Sequence, residues 1–209
     1  MIKQIQSYFP ELSHHQAEQL SALKGIYMDW NKKINIISRK DIDNIEIHHI
    51  LHSLSIAAVF SFRKGIRIMD AGTGGGFPGI PLAIVFPDVE FTLVDSIAKK
   101  IMVVNAIKIE LGLQNIFPCH SRLEDVRGQF DFITGRAIAP LPELIKLVAG
   151  KIKSDRMQDQ STGLIYLKGG DFKEELRSIR AESRIYHLNE YFKEPFFETK
   201  KLVHLFHLQ

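Results

Sequence analysis

The first sixty residues carry apolar side chains at helical spacing. Between Pro10 and Phe62 these side chains recur every three or four positions, which is typical of amphipathic helices that pack against a core. Ser13 is a suitable N-cap for the first of these helices. Polar stretches at residues 31–33 and 38–41 interrupt the pattern. We therefore predict an N-terminal helical subdomain over residues 1–62, with at least two helices and a loop.

The pattern changes at Gly65, where short apolar runs typical of buried strands begin to alternate with helical runs. Five strands are predicted at residues 66–70, 91–95, 116–119, 130–133 and 164–167. Helices are predicted at residues 80–85, 99–111, 140–148 and 173–182, and Gly112 closes the second of them. Such alternation is typical of a parallel sheet.

Two more strand-like runs, at residues 184–188 and 202–208, follow one another without a helical run between them. This arrangement predicts an antiparallel hairpin at the edge of the sheet. The fold class is therefore α/β, with a mostly parallel seven-stranded sheet in a domain that spans residues 63–209. The polar run over residues 150–163 predicts a loop before the fifth strand.

The composition is that of an ordinary globular protein. The chain has 209 residues, of which 45% are hydrophobic and 24% charged, so disordered and fibrous classes are excluded. No apolar run approaches the roughly 20 residues that cross a bilayer, and the first 14 residues lack the apolar core of a secretory signal. The single cysteine agrees with a reducing compartment. We expect a cytoplasmic monomer without membrane association.

The charge permits an acidic partner without requiring one. The net charge is +3 and the pI about 8.9. Residues 1–60 carry as many acids as bases, so the whole excess of positive charge lies in the later domain.

A glycine-rich run, DAGTGGGFPG at residues 70–79, follows the first strand and opens a helix. Gly74, Gly76 and Gly79 fit the spacing of a dinucleotide loop, so spacing alone does not separate a nicotinamide cofactor from S-adenosylmethionine. The acid at Asp70 would repel a pyrophosphate, whereas it favours the ammonium and sulfonium of S-adenosylmethionine. We therefore predict that Asp70, Gly72 and Gly74 contribute to an S-adenosylmethionine site.

Asp95 ends the second strand, 23 positions after Gly72. This spacing is close to that at which an acid reaches the ribose hydroxyls of a nucleotide cofactor. The alternative is that Asp95 caps the helix that begins near Ala98.

Two further segments are predicted at the carboxyl ends of the strands, where an open parallel sheet binds its ligands. Residues 121–125 follow the third strand and would hold adenine, or would form a solvated acidic turn. Arg136 follows the fourth strand, where its guanidinium would bind a carboxylate or a phosphate, or would be an ordinary surface arginine.

His48 and His52 share one face of the predicted helix, beside His49. No nearby cysteine or well-placed acid completes a metal site, so we predict none and interpret these histidines as polar residues at the helix surface or core edge.

These segments resemble the family of small-subunit ribosomal RNA methyltransferases G, also called glucose-inhibited division protein B. The resemblance covers most of the chain. It rests on residues 70–82 (DAGTGGGFPGIPL), 93–96 (LVDS), 121–124 (SRLE), 135–137 (GRA) and 167–169 (LKG), with 30–35 (WNKKIN) and 49–54 (HILHSL) upstream. One departure is His52, where the family pattern has aspartate.

The resemblance implies a Rossmann-like fold with helices on both faces of the sheet, and methylation of guanine N7 in 16S ribosomal RNA near the decoding region. It implies cofactor contacts at Gly72, Phe77, Leu123, Glu124 and Arg136. It implies no catalytic base, because N7 carries a lone pair and no proton.

The RNA substrate, as naked RNA or as the small ribosomal subunit, is expected to contact basic residues near the carboxyl edge of the sheet, which are Arg39, Arg136 and Lys168. Two other functions stay open. One is a nicotinamide-dependent oxidoreductase, and the other is a catalytically silent RNA-binding factor in ribosome assembly.

Overall fold

The computed structural model describes residues 2–153 and 161–208. Seven strands form a single sheet in the order β3-β2-β1-β4-β5-β7-β6. Strands β1 to β5 are parallel, and β7 is antiparallel to both β5 and β6. The strands are β1 Arg67–Ala71, β2 Glu90–Asp95, β3 Ile116–His120, β4 Phe132–Arg136, β5 Gly163–Gly169, β6 Glu182–His187 and β7 Lys200–Phe206. The predicted mostly parallel sheet with an antiparallel edge pair is confirmed.

Helices cover both faces of the sheet. They are α1 Ile2–Tyr8, α2 His14–Asn31, α3 His52–Val59, α4 Gly79–Val85, α5 Ala98–Glu110, α6 Leu141–Val148 and α7 Lys173–Arg177. A π-helical segment, Glu46–Leu51, runs directly into α3, and short 3₁₀ turns lie at Ile42–Asn44, Ala149–Lys151, Leu188–Glu190 and Pro195–Thr199.

Two apolar clusters make up the core because alternate residues of each strand point to opposite faces. On β1, Ile68 joins the cluster formed with α2 to α5, whereas Met69 joins the cluster formed with α6. Both residues are fully buried. Burial on both faces explains why the central strands read as continuous apolar runs.

The N-terminal helices share the first of these clusters. Leu20 and Leu23 of α2 and Leu54 of α3 are fully buried together with Phe91 of β2. Ser13 caps α2 as expected, in a reciprocal pair of hydrogen bonds with Gln16. The domain boundary between residues 62 and 63 stays a prediction.

Two predicted elements differ from the structure. The helix predicted over residues 173–182 ends at Arg177, and β6 already begins at Glu182. The fourth strand begins at Phe132 rather than at Phe130, because Phe130 instead bridges to Ile152. The strand also ends later than predicted, so Arg136, which pairs with Leu167, is its last residue rather than part of the loop after it. Residues 154–160 of the predicted loop lie outside the described residues.

No helix in the described part of the chain is long and apolar enough to span a membrane.

Candidate active site

The glycine-rich run forms the turn between β1 and α4. Gly72 and Gly74 have φ angles of 56° and 59°, in the left-handed region that glycine adopts without a steric penalty. A Cβ atom on Gly74 would meet no protein atom within 4 Å, so the space beside this residue is open. The backbone can therefore approach a ligand closely at this turn.

Asp70 holds the turn from below. Its side chain is fully buried, and its carboxylate accepts hydrogen bonds from the Thr73 hydroxyl, the Gly79 backbone N–H (2.9 Å) and the Thr134 hydroxyl (3.1 Å). Burial raises the pKa of the Asp70 carboxyl to about 6, against the opposing effect of these three hydrogen bonds and of the Arg136 charge. Asp70 therefore shapes the turn through these hydrogen bonds, and its contact with the cofactor stays a prediction.

The N-terminal segment also contacts this turn, which the sequence did not predict. The fully buried Tyr27 of α2 donates its hydroxyl to the Gly75 carbonyl at 2.7 Å. Its ring packs on Phe77, with 4.6 Å between the centroids. Ile36 lies where a Cβ atom on Gly75 would be, so only glycine fits there. No local pattern marks this contact, because 48 positions separate Tyr27 from Gly75.

Asp95 at the end of β2 faces the turn. Its carboxylate accepts hydrogen bonds from the backbone N–H groups of Gly74 and Ile97, both at 2.9 Å. The N-cap of α5 is Ile97, and no side chain caps this helix. Asp95 thus shapes the chain just before α5 without acting as its cap, and it stays within reach of a ligand on the turn.

A crevice of about 860 Å³ opens at the carboxyl ends of β2 and β3, and we call it the β2–β3 crevice. Gly72, Asp95, Leu123 and Glu124 all line it, so four of the predicted cofactor residues meet there. The acidic segment after β3 forms its far wall, with Glu124 exposed and Leu123 half-buried.

Arg136 lies on the other side of the turn. One of its guanidinium nitrogens donates to the His48 carbonyl and the other to Nδ1 of His49, both at 2.8 Å. The guanidinium also lies over the Phe77 ring, 5.6 Å from its centroid. Burial lowers the pKa of Arg136, and the Asp70 and Asp41 charges oppose this effect.

Arg136 lines a second cavity, of about 590 Å³, which we call the β4–β5 cavity. Lys168 lines it too, and the Lys168 ammonium pairs with Glu175 at 2.9 Å. His48, His49 and His52 form the wall that comes from the N-terminal segment. Burial lowers the pKa of His52 well below its usual value, and its Nε2 has no hydrogen-bond partner among the described residues.

The β2–β3 crevice and the β4–β5 cavity share a wall made of Ala137 and Ile138. Ala137 adopts a left-handed φ of 52°, which turns the chain sharply after β4. The Tyr166 hydroxyl fixes this turn, since it accepts from the Ile138 N–H at 2.8 Å and donates to the Ala139 carbonyl at 3.1 Å. The two spaces are therefore adjacent, and both border the turn after β4.

The remaining predicted residues lie elsewhere. Phe77 is buried beneath Arg136, so the structure places it below the surface of both spaces. Arg39 lies apart, on an exposed surface that it shares with Lys32 and Lys33.

The structure places an acid, Asp41, beside the histidines, which the sequence did not predict. Its carboxylate contacts Nδ1 of His48 and, at 2.7 Å, Nε2 of His49. Within residues 2–153 and 161–208, no group of three or more histidine, cysteine or acidic side chains is arranged to hold a metal ion.

Comparison with known proteins agrees with this architecture. A family model described as rRNA small subunit methyltransferase G matches residues 16–202. A protein of Flavobacterium johnsoniae named ribosomal RNA small subunit methyltransferase G is 50% identical over 202 residues, which are 97% of this chain and 96% of that protein. A protein of the same name from Christiangramia forsetii is 48% identical over 201 residues, covering 96% and 95% of the two chains.

Among solved structures, an S-adenosylmethionine-dependent methyltransferase from Aquifex aeolicus superimposes with a TM-score of 0.53. It is 16% identical, and the match covers 73% of this chain and 88% of that one. At this level of identity the likeness shows the fold, which is the Rossmann-like fold of these methyltransferases.

Proposed function

The chain belongs to the family of ribosomal RNA small subunit methyltransferase G, and from this premise we propose that it methylates N7 of a guanine in 16S ribosomal RNA. It is a ribosomal RNA methyltransferase that uses S-adenosylmethionine. The acceptor atom, the position of the guanine near the decoding region and the roles of individual residues are the proposed part.

The β2–β3 crevice fits the adenosyl part of the cofactor. The open space beside Gly74 admits a ligand against the backbone, and the Asp95 carboxylate lies at the tip of β2, where it can accept from both ribose hydroxyls. Leu123 and Glu124 form the wall for adenine. Gly72 and Gly74 place their backbone against the ligand. Asp70 stabilises the turn, and Phe77 packs beneath the Arg136 guanidinium.

Arg136 is suited to the carboxylate at the other end of the cofactor. Its guanidinium is bonded to two uncharged acceptors, and among the residues described no carboxylate forms an ion pair with it. Its charge therefore remains available to an anionic group of a ligand.

The observation that best supports this function is that the two spaces share a wall. A ligand in the β2–β3 crevice has the β4–β5 cavity as its immediate neighbour across Ala137 and Ile138. We assign the β4–β5 cavity to the target guanine.

Proton transfer is not required of any side chain. S-adenosylmethionine supplies an electrophilic methyl group, and N7 of guanine has a lone pair in the plane of the ring and no proton to lose. The protein then acts chiefly by holding the two reactants close together and in line, an effect that supplies roughly 7–11 kcal/mol in well-oriented reactions.

The RNA backbone is assigned to basic residues in two places, the wall of the β4–β5 cavity and the separate exposed surface that carries Arg39. Arg39 is exposed beside Lys32 and Lys33 and is free to meet a phosphate, whereas Lys168 must first leave Glu175. We also propose that the protein works as a monomer in the cytoplasm, where its RNA substrate is assembled.

Incubation with labelled S-adenosylmethionine tests the proposal. The acceptors are naked 16S ribosomal RNA, and small subunits from a strain that lacks this modification. We expect label in one of these two RNAs and none in subunits that are already modified. Cofactor binding without transfer to any acceptor would instead favour the silent assembly factor, and calorimetric binding of a nicotinamide cofactor would favour the oxidoreductase.

A further inference from the structure

Arg136 is held in place by residues outside the sheet. Its guanidinium donates to the backbone carbonyl of His48 and to the imidazole of His49. Arginine presents five donors in a fixed planar arrangement, so two occupied donors determine where the others point. Its orientation at the end of β4 is therefore set by the π-helical segment before α3.

The hydrogen bond from Arg136 determines which ring nitrogen of His49 carries the proton. Nδ1 of His49 accepts from Arg136, so this nitrogen carries no proton. The proton must then be on Nε2, which donates to Asp41 at 2.7 Å. Burial and the Arg136 charge lower the pKa of His49 to about 4, although Asp41 opposes the shift. The imidazole is thus neutral at pH 7 and can serve as an acceptor.

Asp41 anchors the other end of this chain of contacts. Its backbone N–H donates to the Ser38 carbonyl at 2.9 Å, and its carboxylate receives both His48 and His49. Because it bonds to Nε2 of His49, Asp41 fixes both the tautomer and the tilt of the ring that receives Arg136.

We propose that Asp41 and His49 are positioning residues, which hold the Arg136 guanidinium in the orientation that receives the carboxylate of S-adenosylmethionine. This inference rests on the cofactor role proposed for Arg136. An acceptor without charge suits the task, because a carboxylate bonded directly to the guanidinium would neutralise the charge that the ligand needs.

Two substitutions separate positioning from simple packing. Asn at position 49 can keep an acceptor near the place of Nδ1, and Gln can keep a donor near the place of Nε2. We expect His49→Gln to lose the bond to Arg136, and to weaken the calorimetric affinity for S-adenosylmethionine by about tenfold or more. We expect His49→Asn to stay within about threefold of the wild type. Asp41→Asn should fall between the two.

The matched control is His14→Gln. The His14 imidazole also pairs with an acid, Glu18, at 3.4 Å, but both side chains are exposed at the start of α2. This variant should bind S-adenosylmethionine with unchanged affinity.

A ligand without the carboxylate makes the test specific. 5′-Methylthioadenosine lacks the amino acid end of the cofactor, so all variants at positions 41, 49 and 136 should bind it as the wild type does. If His49→Gln weakens both ligands equally, the effect is a general distortion and the positioning role is wrong. If Arg136→Ala leaves the preference for S-adenosylmethionine over 5′-methylthioadenosine unchanged, the cofactor role of Arg136 fails instead.

A measurement on the unaltered protein covers the case in which the variants do not fold. Nitrogen NMR of labelled histidine at pH 7 should show His49 as the neutral tautomer with its proton on Nε2. A proton on Nδ1 would overturn the inference, because that nitrogen could not then accept from Arg136.

Discussion

Gly74 is the residue at which the backbone and the proposed ligand come closest. Its φ of 59° is left-handed, and the space beside it is open. In Gly74→Val, the new side chain would fill the space assigned to the cofactor. We expect calorimetric binding of S-adenosylmethionine to be lost while the protein remains folded.

The control for this variant is Gly65→Val. Gly65 is also left-handed, with a φ of 84° and nothing within 4 Å of a Cβ. It precedes β1, however, and so lies at the amino-terminal end of that strand, opposite to the turn. Both variants should lose about 1–3 kcal/mol of stability through backbone strain. Unchanged cofactor affinity in Gly74→Val would contradict the assignment of the turn.

His204 makes the stability of the protein sensitive to acid. It is buried beside Phe60 and Phe206, and burial lowers its pKa to about 4, with Arg184 adding to the effect and a backbone bond at Ser161 opposing it. The unfolded chain takes up the proton near pH 6.5, so the contribution of His204 is complete above that pH and is lost as the pH falls toward 4. The expected contribution of His204 to the slope is about 1.4 kcal/mol per pH unit between these two values.

In His204→Leu the slope should be smaller by this amount, whatever the stability of the variant at pH 7, and the remainder comes in part from His49 and His52, whose pKa values burial also lowers. Urea unfolding at several pH values between 4 and 7 gives the comparison. A variant with the same pH dependence as the wild type would show that His204 is already protonated in the fold.

The sequence predicted those site residues that belong to a local motif. The order of strand, glycines and acid marked Gly72, Gly74 and Asp95, and the structure brings them together. The depth of Asp70 was not predictable, because its burial depends on Thr134 from a strand 64 positions away. The same reason hid Asp41 and Tyr27.

At the scale of elements, α2 is part of the cofactor turn rather than an appendage to the sheet. Tyr27→Phe removes only the hydroxyl that donates to the buried Gly75 carbonyl, and it keeps the ring on Phe77. We expect a loss of about 1–3 kcal/mol in the free energy of unfolding, and weaker cofactor binding. Denaturation and calorimetry measure the two effects.

Tyr8→Phe is the matched control. Tyr8 also donates its hydroxyl from an N-terminal helix, but to Glu194, far from the turn in sequence. It should leave cofactor affinity unchanged. If Tyr27→Phe behaves in the same way, α2 does not support the turn.

Element type followed from hydrophobic periodicity wherever an element is buried. The strands β1, β2 and β5 were predicted to within two residues at each end, because burial on both faces leaves a continuous apolar run. The exposed helix α7 was predicted too long, since polar residues at helical spacing also continue into the exposed strand β6.

At the scale of the whole molecule, binding of RNA should depend on salt. For looped RNA the slope of log affinity against log salt is about −0.7 per neutralised phosphate. Arg39→Ala should reduce the magnitude of the slope by up to one such contact. Lys168→Ala should reduce it less, because Glu175 already partly neutralises Lys168.

Lys64→Ala provides the reference, since Lys64 is exposed and lies before the amino-terminal end of β1, away from the carboxyl ends of the strands. It should leave the slope unchanged. An affinity that does not vary with salt, or an equal effect of all three substitutions, would contradict the proposed RNA surface.

The most direct test of the account is the chemical identity of the methylated nucleotide in 16S ribosomal RNA. N7-methylguanine carries a fixed positive charge, so the modified strand should break with aniline after borohydride reduction. We predict cleavage at a single guanine near the decoding region, dependent on S-adenosylmethionine and absent with Gly74→Val. Label that is recovered as methyladenine, 5-methylcytosine or a ribose-methylated nucleotide would contradict the proposed acceptor atom.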